Sequence, residues 1–243
     1  MREDDDVELL DRVRALRAAG SGPKQVAKAL GLRPGQAAVM VRRAAAADQA
    51  VEPGERPVVG CWVSPGWSDG LDLSACPPAW VGQDSSASEE AIGAGFAQLL
   101  VARRERASRV TVTGALVDVY CLGVKSVVEP HTMGAGSLEA HRRSYYSAFA
   151  EPSLPIGIDQ ARAIVYGAVA YARELGFEPA PGFTQAAAVL GEPVGALPQI
   201  GFGNQGMPLY INGPRDDART VLATLERTRG TGNYHYIFAS GPM

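Results

Sequence analysis

The sequence predicts an α+β fold: an N-terminal three-helix unit followed by a mixed body with antiparallel hairpins and packed helices. Three observations predict it. Apolar residues at helical spacing, punctuated by glycine and proline, fill residues 7–46. A polar stretch with two prolines follows, Asp48 to Pro57. Beyond it, short strand-like apolar runs alternate with amphipathic helical segments. The domain boundaries read as 1–47 for the helical unit, 48–58 for a linker and 59–243 for the body.

In the first unit, Leu9, Leu10, Val13, Leu16 and Ala19 share one face of a helix over 7–19, which Gly20-Ser21-Gly22 ends. Pro23 suits the first position of a second helix, 23–30, where its missing N–H costs nothing. Gly31 closes it in the left-handed conformation that glycine adopts cheaply. Pro34-Gly35 opens a third helix to about residue 46.

In the body, 57–63 reads as a strand, and 96–103 and 109–124 as a hairpin about a polar turn at 104–108. Ser137 is placed to cap a helix to 149, and Asp159 another to 175 with Ala161, Ile164, Val165, Ala168, Val169 and Ala172 inward. Residues 200–211 read as a second hairpin, Gly213-Pro214 as the start of a helix to about 228, and 234–238 as a last strand.

Charge is unevenly distributed. The net charge of −3 suggests no general affinity for nucleic acid. Yet residues 1–11 carry six acids against Arg2, and residues 12–47 carry eight cations and no acid. A basic segment on an acidic chain is a footprint of polyanion binding. A GC-rich genome also raises arginine content, so the segregation from acids is the informative part.

An acidic N-terminus is wrong for a secretory signal, and three cysteines do not make a disulfide framework. No apolar run reaches the length of about 18 residues that spans a bilayer. A cytoplasmic protein is expected.

The segment PKQVAKALGLRPGQAAVMVRR, 23–43, resembles the bacterial helix-turn-helix motif. Val26, Ala27 and Leu30 face inward on its first helix, Gly31 sits at the turn with Leu32 just after it, and Ala37 and Met40 face inward on its second. The resemblance implies that the second helix enters a DNA major groove. It implies DNA contacts by Arg33, Gln36, Arg42 and Arg43, with double-stranded DNA as the partner and regulation as the role. Only Gln36 suits a bidentate base contact, so little sequence discrimination is expected. Three-helix units also serve as protein-interaction or structural modules. The runs at 116–127, 161–179 and 206–214 are similar to uncharacterised bacterial proteins, a resemblance that implies a single body module and names no activity.

Candidate chemistry in the body centres on Asp118, set among apolar residues in LVDVYCLGVK. An acid–base site of Asp118, Lys125 and His131 is one reading. A metal-dependent phosphodiesterase using Asp118 with Glu89 or Glu90 is another. The bland reading is a carboxylate on the exposed face of a strand or paired with one arginine. A solvated carboxylate predicts that Asp118→Asn shifts stability by less than about 0.5 kcal/mol, a paired and buried one by about 3–5 kcal/mol, and the small shift is the expected one. The literal G-x-G-x-x-G at 201–206 precedes a strand-like run, not a helix, so it reads as a hairpin turn and not a dinucleotide site. Cys61, Cys76 and Cys121 show no paired metal-ligand spacing. No cofactor or metal is expected, no membrane contact, and a homodimer is compatible with the sequence.

Overall fold

A computed structural model of the chain describes residues 3–81 and 95–238. Its first three helices are α1 (Glu3–Ala18), α2 (Pro23–Leu30) and α3 (Pro34–Ala50). Helix α3 outruns the expected end at 46, because no breaker interrupts its alanine-rich tail before Pro53. Gly31 adopts φ +64° and donates its N–H to the Ala27 carbonyl, which ends α2 and turns the chain into α3. Val13, Val26, Met40 and Ala44 make the core of the unit, with Leu9, Leu10, Leu16 and Leu30 packed round it. At about 1.5–3 kcal/mol for each fully buried large side chain, this small core holds three short helices together.

The body is built on β1 (Val58–Val63), β2 (Phe96–Arg106), β3 (Arg109–Asp118), β4 (Gly123–Gly134) and β5 (Leu154–Pro155). They form one antiparallel sheet in the order β4-β3-β2-β1-β5. A single turn, α4 (Pro78–Val81), lies in the loop after β1. Helices α5 (Leu138–Tyr145), α6 (Ile158–Glu174) and α7 (Phe183–Leu190) pack on the sheet. Strand alternation divides the packing. Cys61, Val63, Leu99, Val101 and Val117 join the cluster of α6 and α7, whereas Ala102, Val110 and Val112 join that of Leu138 on α5. The six residues expected to face inward on α6 are all buried. The last elements are β6 (Leu209–Ile211), α8 (Ala218–Arg229) and β7 (His235–Ile237).

Several elements differ from the sequence reading. The expected strand 109–124 is β3, a turn and the start of β4. Asp118 accepts backbone N–H groups two and three residues on, which breaks the ladder there. Gly157, not Asp159, caps α6, and Asp159 sits in its first turn paired with Arg162 at 3.1 Å. Ser137 makes no side-chain cap. The second hairpin shrinks to a bridge between Asn204 and Met207, and β6 pairs in parallel with β7. Asp217 caps α8 by accepting the Thr220 N–H.

The stretch 48–58 is not a free linker. Residues 48–50 end α3, and Pro53–Glu55 forms a helical turn against α7, where a Cβ on Gly54 would run into the Gly191 Cα. Buried Arg103 donates to the Arg56 carbonyl as well as to those of Val189 and Leu190. Among the described residues, no helix is long and apolar enough to cross a membrane.

Candidate functional site

On α3, Ala37, Met40 and Ala44 point into the module core, which leaves the opposite side of the helix exposed. Arg42 and Arg43 are exposed there, and Arg33 and Gln36 are exposed at its N-terminal end. The structure thus gathers the four predicted contact residues on one helix and its cap. Val39, 45% exposed, lies on the same side.

Gln36 has a local task. It sits three residues past the N-cap Arg33, and its Oε1 accepts the Arg33 backbone N–H at 3.2 Å. Gln25 does the same for Gly22 at the start of α2, at 2.7 Å. Each glutamine satisfies one of the N–H groups orphaned near a helix start. Bidentate reading of adenine needs the amide carbonyl and amide NH2 of Gln36 together, and the capping bond turns that carbonyl back towards Arg33. The polar groups that α3 and its cap leave exposed on this side are therefore mainly the guanidinium groups of Arg33, Arg42 and Arg43.

In the body, Asp118 is the last residue of β3 and is only 2% exposed. This overturns the expectation of a solvated strand residue, and with it the expected small effect of Asp118→Asn. The Tyr120 and Cys121 N–H groups donate to its Oδ1 at 3.0 and 2.9 Å. Its Oδ2 is buried without a hydrogen-bond partner among the described residues. Burial pushes the Asp118 carboxyl up to about 6, against the opposing pull of these bonds and of Lys125. Gly123, which follows the turn, combines φ +66° with a close approach to α6: a Cβ there would lie 2.8 Å from that of Ala172. The turn is held down on the helix, and the carboxylate is held inside.

Lys125 does not pair with Asp118. Its Nζ binds Asp216 Oδ2 at 2.6 Å, and Asp216 also accepts the Gly213 N–H at 2.8 Å. His131 is elsewhere. It opposes Val112 across the sheet, whereas Asp118 opposes Gly123. Six residues of strand separate His131 from Lys125, about 20 Å. Its ring meets His141 edge-on at 5.4 Å, and burial followed by His131 lowers the His141 pKa. The acid–base set of Asp118, Lys125 and His131 is therefore not assembled.

Glu89 and Glu90, the other expected partners of Asp118, lie outside the described residues. Among those described, no group of three His, Cys, Asp or Glu side chains is arranged to hold a metal ion. Cys61, Cys76 and Cys121 are buried free thiols; burial raises Cys61 to about 11 and Cys121 higher still. Such thiols are poor nucleophiles.

Sequence reasoning does not find what surrounds Asp118. Tyr171 on α6 has a buried hydroxyl without a partner among the described residues, and its pKa is raised by burial first and by the Cys121 and Asp118 charges after it. Tyr210 on β6 is fully buried and pushed up to about 12 by burial and by Asp216. No sequence spacing links residues 118, 171, 210 and 216; only the fold brings them together. Compared with family models, with curated proteins and with solved structures, the chain matches none.

Proposed function

We propose that this chain binds double-stranded DNA through its N-terminal helices, as a helix-turn-helix protein whose α+β body serves regulation. One observation carries the reading: α2 and α3, joined at left-handed Gly31, bury Val26, Ala27, Ala37 and Met40 and leave Arg33, Arg42 and Arg43 exposed. Helix α3 would lie in the major groove, with its arginines at the phosphates flanking it. Phosphate contacts set affinity and register but carry no direct sequence information. With the Gln36 carbonyl engaged in capping, discrimination between sequences is weak.

A salt titration of affinity for two unrelated duplexes tests this. Each phosphate that is no longer neutralised lowers the slope of log affinity against log salt by about 0.9. Arg42→Ala with Arg43→Ala is expected to weaken binding to both duplexes alike and to flatten the slope by up to about two. Gln36→Ala is expected to change both affinities by less than the double variant does. Absence of wild-type binding at low salt would overturn the reading. A Gln36→Ala loss larger than that of the double arginine variant on one duplex alone would overturn the weak specificity.

A further inference from the structure

The β2–β3 hairpin carries Arg103, Arg104, Arg106 and Arg109 within seven residues. Arg103 is 3% exposed and committed to carbonyls at the end of α7. Arg104 and Arg106 do something else. With Arg14 and Arg17 from α1 and Arg56 from the connection ahead of β1, they line a cleft of about 170 Å³ between the helical module and the hairpin. Three separate chain segments thus bring five guanidinium groups round one hollow.

Among the described residues, Glu105 is the one carboxylate in the lining, and it sits at the register shift between Arg104 and Arg106. Its Oε2 accepts the hydroxyls of Thr132 at 2.7 Å and Thr111 at 3.3 Å. The Thr132 bond is the largest cause of its lowered pKa, and the Arg56 and Arg106 charges act in the same direction. Asp11, outside the lining, lies 3.1 Å from Arg14. Leaving aside Arg14 and Arg17, Arg56, Arg104 and Arg106 outnumber Glu105 three to one, so these described residues give the lining a positive field, and a recessed cleft focuses it. Guanidinium forks match phosphoryl oxygens in pairs, which favours that class of anion over a halide. The hollow equals the volume of about five or six waters, at about 30 Å³ each, room for one phosphoryl group.

We propose that this arginine cleft binds a phosphoryl group, bridging the helical module and the body. Two sources offer the same chemistry: a free phosphate compound, or a backbone phosphate of duplex DNA. The second source rests on the DNA-binding reading; the first does not.

The test uses the full chain. Sodium pyrophosphate is titrated calorimetrically at pH 7 and low salt, and duplex affinity is measured across a salt series. Both are repeated with Arg104→Ala plus Arg106→Ala, and with Arg106→Ala alone; Arg106 is exposed, so the single variant keeps the fold. Saturable pyrophosphate binding by wild type, weakened at least fivefold in the variants with duplex affinity unchanged, assigns a free phosphate compound. No pyrophosphate binding, with the duplex salt slope lowered by about 0.9 for each phosphate that the variants leave unneutralised, assigns the DNA backbone. Equal behaviour of wild type and both variants towards both probes overturns the proposal, as does a wild type that binds neither. If wild type binds pyrophosphate but no duplex, and the variants weaken the pyrophosphate binding, the DNA reading fails and the cleft stands. If Arg42→Ala plus Arg43→Ala abolishes duplex binding while the cleft variants change neither probe, the cleft fails and the DNA reading stands.

Discussion

Removing the charge of Asp118 is expected to change how stability depends on pH. In the folded chain its carboxyl is raised from 3.8 to about 6, chiefly by burial. At about 1.36 kcal/mol for each factor of ten, that rise corresponds to about 3 kcal/mol. The sign follows from proton binding. Between pH 4 and 6 the folded state holds the Asp118 proton while the unfolded state has released it. Raising the pH through this window therefore favours unfolding. The contribution of Asp118 is fully present below about pH 4 and lost as pH rises past 6. Asp118→Asn keeps an Oδ1 to accept the Tyr120 and Cys121 N–H groups and does not titrate. Any cost of burying its new NH2 is independent of pH. The difference in stability between variant and wild type is thus expected to move by about 3 kcal/mol in the variant's favour, most of it between pH 4 and 7. Urea denaturation at half-unit pH steps measures it, read by tryptophan fluorescence, to which Trp67, fully buried in the body, contributes. A difference that stays flat from pH 4 to 7 would refute the reasoning, since it would mean that Asp118 titrates alike in both states.

Three further outcomes follow from the same structure. Lys125→Met strands Asp216 with its side chain 13% exposed, and is expected to cost about 3 kcal/mol by urea denaturation. Residues 51–243 expressed alone are expected to unfold in one cooperative transition; starting at residue 59 removes Gly54 and the Arg56 carbonyl and is expected to lower the melting temperature or the solubility of the product. Deleting the acidic residues 2–6 is expected to strengthen duplex binding at low salt and to matter less at high salt, where the Debye length falls to about 3 Å at 1 M; equal effects at both would count against an electrostatic origin.

What is legible in the sequence is local. The three N-terminal helices, the α6 face and the first hairpin are written in spacings of three, four and two, and in glycine and proline at element ends. The turn after Asp118 is not legible as such, because LVDVYCLGV reads as continuous strand until one sees the Asp118 side chain compete with the ladder for the N–H groups of residues 120 and 121. Helix α7 escapes notice because Phe183–Leu190 is a short apolar run whose periodicity does not distinguish helix from strand. The parallel pairing of β6 with β7 joins residues 209–211 to 235–237 across α8, a non-local choice that no local signal announces. The candidate sites divide in the same way. Arg33, Gln36, Arg42 and Arg43 fall within eleven residues and can be found together. The partners of Asp118 and of the arginine cleft come from segments far apart in sequence, and cannot.

The two polar features of the body point in different directions, and magnitude separates them. Around Asp118 the charges are few, buried and close, so each interaction acts at low effective dielectric and a single group is worth kilocalories. Such a cluster sets stability and its pH dependence, whatever the solution holds. Around the arginine cleft and on α3 the charges are many and near solvent, so each pair is worth little and screening by salt is strong. In the proposed readings those groups act on partners, by summed field and counterion release. The same chain thus carries one electrostatic device sensitive to pH near 6 and another sensitive to ionic strength. Since the cleft shares Arg56 with the connection whose carbonyl Arg103 holds, an anion bound there touches both the helical module and the structural staple of α7. Binding at the cleft is therefore expected to slow hydrogen exchange in α7 as well as in α1. Protection confined to α1 would mean that the anion orders the module without reaching the body.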